Sequence, residues 1–436
     1  MSLLSADKQL TKNSYYAATA PRGAGHAALE ADIDCDVAVV GGGLAGLSAA
    51  IELADRGYAV ALLEAQQVGW GASGRNGGQV IAGLACDQSV IEEQLGLDGA
   101  RAVWQMTLEA LRLINERRER FAIDCDWQSG FIGVATSPRK AADLERWQAH
   151  MQAAYAYETR WIGAAEIGEW VASPRYHGGY HDPLGGHLHP LKYSLGLARA
   201  AAGLGVRIFE ETQVLALEPG SSVRLRTAKG SVRASHALLA GNVYLNGLAP
   251  ALERRIMPVG TYIVASETLA PEVARSLVPS MSAVCDTNFV LDYFRPTLDH
   301  RMLYGGRVSY STATPVNLAG SMQRRMAETF PQLAGAKGEF AWGGFVDISM
   351  NRAPDFGRLG QPGAAYDNVY YLQGFSGHGL ALTGLAGRLV AEAIAGDAER
   401  FDTFARIRHR PFPGGRLLRM PALVAGMAYY RLRDLL

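Results

Sequence analysis

Short continuous apolar runs alternate along this chain with stretches of helical period, after a polar, Ala/Gly-rich lead-in over residues 1–32. Asp36–Val40 is the first apolar run, and Gly41 to Gly43 follow at once. Leu44–Asp55 then places Leu44, Leu47, Ala50, Ile51 and Ala54 on one side, the period of a helix. Gly57 stands where a helix stop is expected, and Val60–Leu63 is a second apolar run closed by Glu64. Strand, turn, helix and strand within about 30 residues make a βαβ unit.

Further along, the pattern predicts helices over 99–121, 140–157, 191–204, 315–330 and 379–395. In the first of these Val103, Leu108, Leu111 and Ile114 form the apolar side, and the NERRER end reads as a solvated face. Strands are expected at 131–135, 206–210, 223–227, 231–235, 237–240, 259–266, 289–295, 301–308 and 369–372. Lys229-Gly230 and Thr297–His300 read as turns. A second strand–Gly–helix unit appears only near residue 370. If both units serve one ligand, the ligand domain is discontinuous in sequence.

The glycines sharpen this picture, since 50 of the 436 residues are Gly and they cluster. Gly41-x-Gly43-x-x-Gly46 sits between the first strand and helix, and Glu64 follows Gly41 by 23 residues. Such a turn lets a pyrophosphate approach bare backbone at a helix N-terminus, where the dipole favours its charge. Glu64 would accept hydrogen bonds from ribose hydroxyls, which fits FAD or NAD better than NADP. The alternative is an ordinary Gly-rich turn with no ligand. The stretch Gly69-Trp-Gly-Ala-Ser-Gly-Arg-Asn-Gly-Gly-Gln79 is too Gly-dense for a strand or helix interior, and suits a large, partly anionic ligand. Gln373-Gly-Phe-Ser-Gly-His-Gly379 supplies a second stripped helix N-terminus. Two such units for one cofactor favour FAD, whose pyrimidine gains negative charge on reduction.

Lys plus Arg and Asp plus Glu number 42 each, so no overall basic footprint marks a nucleic-acid binder. Cys35, Cys86, Cys125 and Cys285 form no C-x-x-C pair, which argues for no metal site and a reducing, cytoplasmic setting. The start of the chain lacks the apolar core of a secretory signal, and no uncharged apolar run reaches the ~20 residues of a spanning helix.

Several stretches together carry a resemblance: SYYAATA at 14–20, CDVAVVGGGLAGLSAA at 35–50, GWGASGRNGGQ at 69–79 and GGHLHPL at 185–191. LLAGNVYL at 238–245, LDYFRPTLDHRMLYGG at 291–306, YYLQGFSGHG at 370–379, GDAERFDTFA at 396–405 and PFPGGR at 411–416 extend it. On these the chain resembles the flavin amine oxidases of the D-amino-acid oxidase/glycine oxidase superfamily. The resemblance implies an α/β fold with a discontinuous Rossmann-like FAD-binding domain over 33–95, 190–245 and 345–400. A substrate domain of α+β type, built on a large mixed or antiparallel sheet, would span 96–189 and 246–344. Residues 1–32 would be an N-terminal extension and 401–436 a C-terminal tail.

The same resemblance implies hydride transfer from an amine C–H to flavin N5, then hydrolysis of the imine to aldehyde and ammonia, with oxygen as acceptor. The expected substrate is the primary amine of gamma-glutamylputrescine or a related gamma-glutamylated polyamine. A dehydrogenase using another acceptor such as quinone, or an oxidase of glycine, sarcosine or proline, are the rival readings. The cofactor-binding set would be Gly41, Gly43, Leu44, Ala45, Gly46, Glu64, Ala65, Ser73, Arg75, Asn76, Gly77, Gly78 and Gln79. Val214, Gly241, Asn242, Gly374, Gly377, His378, Gly379 and Leu380 complete it. Relatives that tether flavin use a Cys in the segment matching Ala341–Val346; none stands here, so FAD is expected to be non-covalent. No Lys occurs from Met302 to Val308, where some oxygen-reactive relatives carry one.

No catalytic side chain is required by this chemistry, because the flavin performs the hard step. Substrate-pocket candidates are Tyr293 and Arg295 on one strand face, with Tyr304, Arg307 and Trp342. Arg295 or Arg307 would pair with a substrate carboxylate, or else stitch sheet to loop. His187 and His189, two apart, would share one strand face, as pocket wall, as packing under the sheet, or as a metal-like pair. The tail RLLRMPALVAGMAYYRLR either packs on its own domain or presents an apolar patch to a membrane or electron acceptor.

Overall fold

The computed structural model describes residues 3–288, 290–309 and 317–413. Among these, the strands form two sheets, one of eight strands and one of nine. In the first, Ile33–Val40 lies centrally between Val60–Leu63 and Ser231–Leu239, all parallel. Val369–Gln373 continues the parallel order beyond Ser231–Leu239, and Arg207–Phe209 extends it beyond Val60–Leu63. Asp355–Arg358 closes one edge antiparallel. Val37–Val40 and Val60–Leu63 are buried throughout, as parallel strands covered on both faces must be.

Helices Leu44–Asp55 and Gly379–Ile394 cover one face of this sheet and pack on each other at close range. A Cβ at Gly387 would lie 2.5 Å from the Ala49 nitrogen, and Ser48 Oγ donates to the Gly384 carbonyl at 2.5 Å. Both helices begin at the carboxyl ends of parallel strands. Their N-termini therefore point to the same edge, beside the place where the strand order reverses about Ile33–Val40.

The second sheet runs in the order Gly338–Ser349, Ile256–Ser266, Met302–Ser309, Tyr293–Pro296, Ala283–Asp286, Gln128–Val134, Gly179–His187 and Gln79–Val80. It is antiparallel except where Ala283–Asp286 meets Gln128–Val134. This is the mixed sheet expected from sequence. Helix Leu318–Thr329 closes its core with Phe294, Tyr304, Phe330 and Met326.

Several sequence expectations change. The long helix starts earlier, at Gln88, and passes a break at Gly96 (φ 73°), a conformation suited to glycine. Its NERRER end is not wholly solvated: Arg117 is buried and its Nη2 meets Glu52 Oε1 at 3.0 Å. That pair fastens the helix to Leu44–Asp55, although the sequence boundaries put it with the second sheet; conversely Gln79–Val80, put with the first sheet, bonds to the second. The lead-in is no loose tail either, since Tyr15 and Tyr16 are buried and two short helices, Leu3–Leu10 and Tyr15–Thr19, precede the first strand. The expected strands at 231–235 and 237–240 are one, with His236 in register against Val37. The hairpin at Thr297–His300 forms as expected, His300 N donating to Thr297 O at 3.0 Å.

Among the described residues no single helix is long and apolar enough to cross a membrane. Gly379–Ile394 qualifies only together with Glu399–Ala405 across a 119° bend, and its apolar residues are core. The tail residues 414–436 lie outside the described residues.

Overpacking the crossing of the two helices tests this frame. Gly387→Val, with no room beside Ala49, is expected to destabilise the protein by about 3 kcal/mol. Urea unfolding checks this; an unchanged midpoint would mean the helices can separate without cost.

Candidate active site

The first Gly turn is shaped by contacts that exclude side chains. Gly41 has φ +112°, and a Cβ there would lie 2.6 Å from the Ala240 carbonyl oxygen. A Cβ at Gly46 would overlap the Gly41 carbonyl itself. Helix Leu44–Asp55 thus starts with Gly43 as its N-cap, which has no side chain of its own to cap it. Ser73 Oγ, from the second Gly-rich stretch, accepts the Leu44 N–H at 2.9 Å. Glu64 accepts the Gly42 N–H at 2.7 Å on Oε2 and the Gln66 N–H at 2.8 Å on Oε1. Burial pushes its carboxyl above the ordinary range, against the pull of those two donors. A carboxylate offers about four lone-pair sites, so acceptors remain for ribose hydroxyls.

The 69–79 loop folds over this turn. Asn76 holds the loop to itself, donating to the Ala72 and Ser73 carbonyls and accepting the Gly78 N–H at 2.8 Å. Gln79 donates to the Val284 carbonyl at 2.8 Å. Both side chains, expected on the cofactor, are instead turned to protein. Arg75 is buried with its guanidinium 4.2 Å over Trp70, and its Nη2 has no hydrogen-bond acceptor among the described residues.

The third loop begins at Gly374 (φ +76°) and leads into Gly379–Ile394. Asp347, on a strand of the second sheet, accepts the Gly374 N–H on Oδ2 at 2.6 Å, and its own carbonyl accepts the Ser376 N–H at 3.2 Å. Burial pushes the Asp347 carboxyl up to about 7, against the loop's N–H donors. His378 Nε2–H donates to the Ala82 carbonyl at 3.1 Å, and burial keeps the ring neutral. Gly241 and Asn242, the latter at φ +52°, follow the third parallel strand beside Gly41. Val214 is buried in the core on the sheet's other face.

The substrate-pocket candidates are mostly committed elsewhere. Arg295 donates to the Gly77 and Leu188 carbonyls at 2.8 and 3.2 Å and to the Tyr16 hydroxyl at 3.1 Å. Its remaining contact is His187 Nδ1 at 3.3 Å, so it stitches the 69–79 loop to the sheet. His187 Nε2–H meets the Met281 carbonyl at 2.7 Å. His189 is not on that strand at all: it caps helix Pro190–Gly203, its Nδ1 accepting the Lys192 N–H at 3.2 Å. Burial first, then nearby Arg295, hold His187 well below its ordinary value and His189 at about 3, so both are neutral. Among the described residues no group of three or more His, Cys, Asp or Glu is placed to hold a metal.

Tyr304 and Trp342 are corrected outright. Tyr304 is fully buried, stacked on Phe294 at 5.8 Å and bonded to Thr329. Trp342 is fully buried as well, its Nε1–H donating to the Arg75 carbonyl at 2.9 Å. Tyr293 wedges between Gly77 and Gly305, where a Cβ on either glycine would strike its ring. Arg307 pairs by backbone with Tyr262 in Met302–Ser309, and its side chain lies outside the described residues.

Sequence reasoning missed Asp347 and Glu210. Glu210 accepts the Val68 N–H at 2.7 Å and the His26 N–H at 2.8 Å, fixing the stretch that leads into the 69–79 loop. A lone acid at a strand end carries no motif; only a buried, unpaired backbone N–H beside it reveals its role.

The arrangement is that of a dinucleotide cradle. Three stripped loops and two helix N-termini converge at one sheet edge, with a buried guanidinium among them whose Nη2 lacks a hydrogen-bond acceptor among the described residues. These residues fit FAD. A family model described as FAD dependent oxidoreductase (DAO) matches residues 36–393, and the chain belongs to that family. It is an FAD-dependent oxidoreductase. Gamma-glutamylputrescine oxidoreductase of Escherichia coli (strain K12) is 44% identical over 423 residues, covering 97% of this chain and 98% of the relative. Probable oxidoreductase OrdL of Haemophilus influenzae is 38% identical over 92% of each chain. The crystal structure of glycine oxidase from Geobacillus kaustophilus has the same fold, with a TM-score of 0.68 at 24% identity, covering 83% of this chain and 95% of that one.

Two outcomes follow. Gly43→Val is expected to purify colourless, since a side chain there enters the cradle beside Ser73 Oγ; a yellow, fully loaded variant would overturn the assignment. Asp347 sets a pH dependence. Folded, it keeps its proton to about pH 7, whereas the unfolded chain releases it near ~4. The folded state then binds more protons between those values, so this contribution to stability is lost as pH rises through them. Asp347→Asn keeps an acceptor for Gly374 and lacks the slope. Its melting temperature should gain on the wild type from pH 4 to 7, and parallel curves would show that Asp347 titrates normally.

Proposed function

We propose that this protein oxidises the primary amine of gamma-glutamylputrescine, or of a related gamma-glutamylated polyamine, to the aldehyde and ammonia. Amine, oxygen and water are consumed, and aldehyde, ammonia and hydrogen peroxide are formed. The observation that carries this reading is the 44% identity, over nearly the whole chain, to the Escherichia coli gamma-glutamylputrescine oxidoreductase. Bound FAD supplies the hydride acceptor. The chain's own part is to hold that cofactor, to exclude water and to present the amine uncharged, because an ammonium has no lone pair to assist hydride loss.

The Gly41–Gly46 turn, Glu64, Ser73 and Arg75 are the proposed contacts to FAD on this side. Gly374 to Leu380 offer the second helix N-terminus to it. FAD is held without a covalent bond, in line with the absence of Cys from 341–346. With Arg295 engaged by the protein, Arg307 is the arginine proposed for a substrate carboxylate. Four free cysteines support a reducing, cytoplasmic setting.

Anaerobic mixing of the yellow protein with gamma-glutamylputrescine, putrescine, spermidine, glycine and sarcosine tests this, reading flavin absorbance. Fast bleaching by the gamma-glutamyl amine alone is expected, followed by re-oxidation in air with peroxide. Bleaching by a free amine or amino acid moves the substrate. Re-oxidation only by a quinone makes the enzyme a dehydrogenase, and no bleaching by any of them defeats the proposal.

A further inference from the structure

The N-terminal segment, expected as a lead-in, reaches the cofactor side at a single buried charge. Asp7, on helix Leu3–Leu10, is fully buried, and its Oδ2 lies 2.9 Å from Arg75 Nη1. The Tyr244 hydroxyl donates to the same oxygen. Tyr244 in turn packs edge-on to Trp70, whose ring lies under the Arg75 guanidinium. The Arg75 carbonyl is fixed separately by Trp342, and Gly344 leaves room beside its side chain. The guanidinium thus meets one carboxylate as an ion pair and one aromatic face, and neither Nη1 nor Nη2 has an aligned hydrogen-bond acceptor among the described residues. Asp7 Oδ1 likewise has no hydrogen-bond donor among the described residues.

Those orphaned atoms argue for a purpose beyond anchoring. A buried ion pair kept only for stability would have its remaining donors satisfied, because each bare buried group costs free energy. Here the free donor lies in the loop that closes over the Gly41–Gly46 turn. The same N-terminal segment also ties down that loop's flanks: Arg22 donates to the Val68 carbonyl at 2.6 Å, and Tyr16 accepts from Arg295.

We propose that Asp7 is a positioning residue for the flavin site: it aims the Arg75 guanidinium and cancels most of its charge where it faces the cofactor. This rests on the reading of residues 69–79 as a flavin loop. Without Asp7, Arg75 would present an uncompensated positive charge and stabilise reduced, more negative flavin.

The test is the midpoint potential of bound FAD in Asp7→Asn and Asp7→Glu, with FAD affinity and melting temperature measured on the same samples. Asp7→Asn is expected to shift the two-electron equilibrium toward reduction by about tenfold, the order of one uncompensated charge at reduced dielectric. That is a rise of about 30 mV. Asp7→Glu should restore the wild-type potential. An unchanged potential in loaded Asp7→Asn overturns the proposal. If Asp7→Asn does not retain FAD, an apoprotein that melts like wild-type apoprotein with FAD affinity weakened at least about tenfold supports positioning. An unfolded apoprotein makes Asp7 structural and overturns it. Gly43→Val reads the flavin-loop assignment independently: a yellow Gly43→Val protein would sink that reading, whatever Asp7 does.

Discussion

Backbone stripped of side chains has to be held by side chains from elsewhere, and this constraint organises the molecule. The turns at 41–46, 69–79 and 374–379 are glycine-dense, which lets other parts of the chain come close to their backbone. Their buried N–H groups cannot be left bare. Glu64 takes Gly42, Ser73 takes Leu44, Glu210 takes Val68, Asn76 takes Gly78 and Asp347 takes Gly374. Ser73 and Asn76 come from the 69–79 loop itself, and Glu64, Glu210 and Asp347 from three other places, so this edge exists only once both sheets are assembled.

Holding bare backbone with carboxylates has an electrostatic consequence. Burial raises Glu64, Asp347 and Asp7 above the ordinary carboxylate range, and the N–H donors or cations that face them pull the other way. On the cationic side, Arg295 is buried among carbonyls, a neutral imidazole and a tyrosine. The site's balance of charge is therefore set by few groups, and a redox cofactor is sensitive to each of them.

The two helix N-termini reach one edge for a simpler reason. The parallel strands Ile33–Val40 and Val369–Gln373 launch Leu44–Asp55 and Gly379–Ile394 in the same direction. Small residues at Gly384, Gly387, Ser48 and Ala49 then allow the helices to touch. Glu52, meeting Arg56, Arg117 and Arg388, locks that pair to the long helix on their outer side.

The local elements were legible because their cause is local. Apolar runs bounded by glycine, the helical period of Leu44–Asp55, and the spacing of Gly41, Gly43, Gly46 and Glu64 each report on neighbours in sequence. So the mixed sheet, the βαβ unit and the family's use of FAD could be read from residues alone. The roles of Arg295, His187, Trp342 and Tyr304 could not. Alternation on a strand shows which side chains share a face, but not which face is covered. Tyr304 and Trp342 proved to be core, and Arg295 with His187 proved to hold the 69–79 loop to the second sheet. Asp7, Glu210 and Asp347 carried no sequence signal, because each serves a backbone or charge more than 20 residues away. Only the tertiary structure decides such pairings, since burial is what makes an unpaired N–H or guanidinium costly enough to need them.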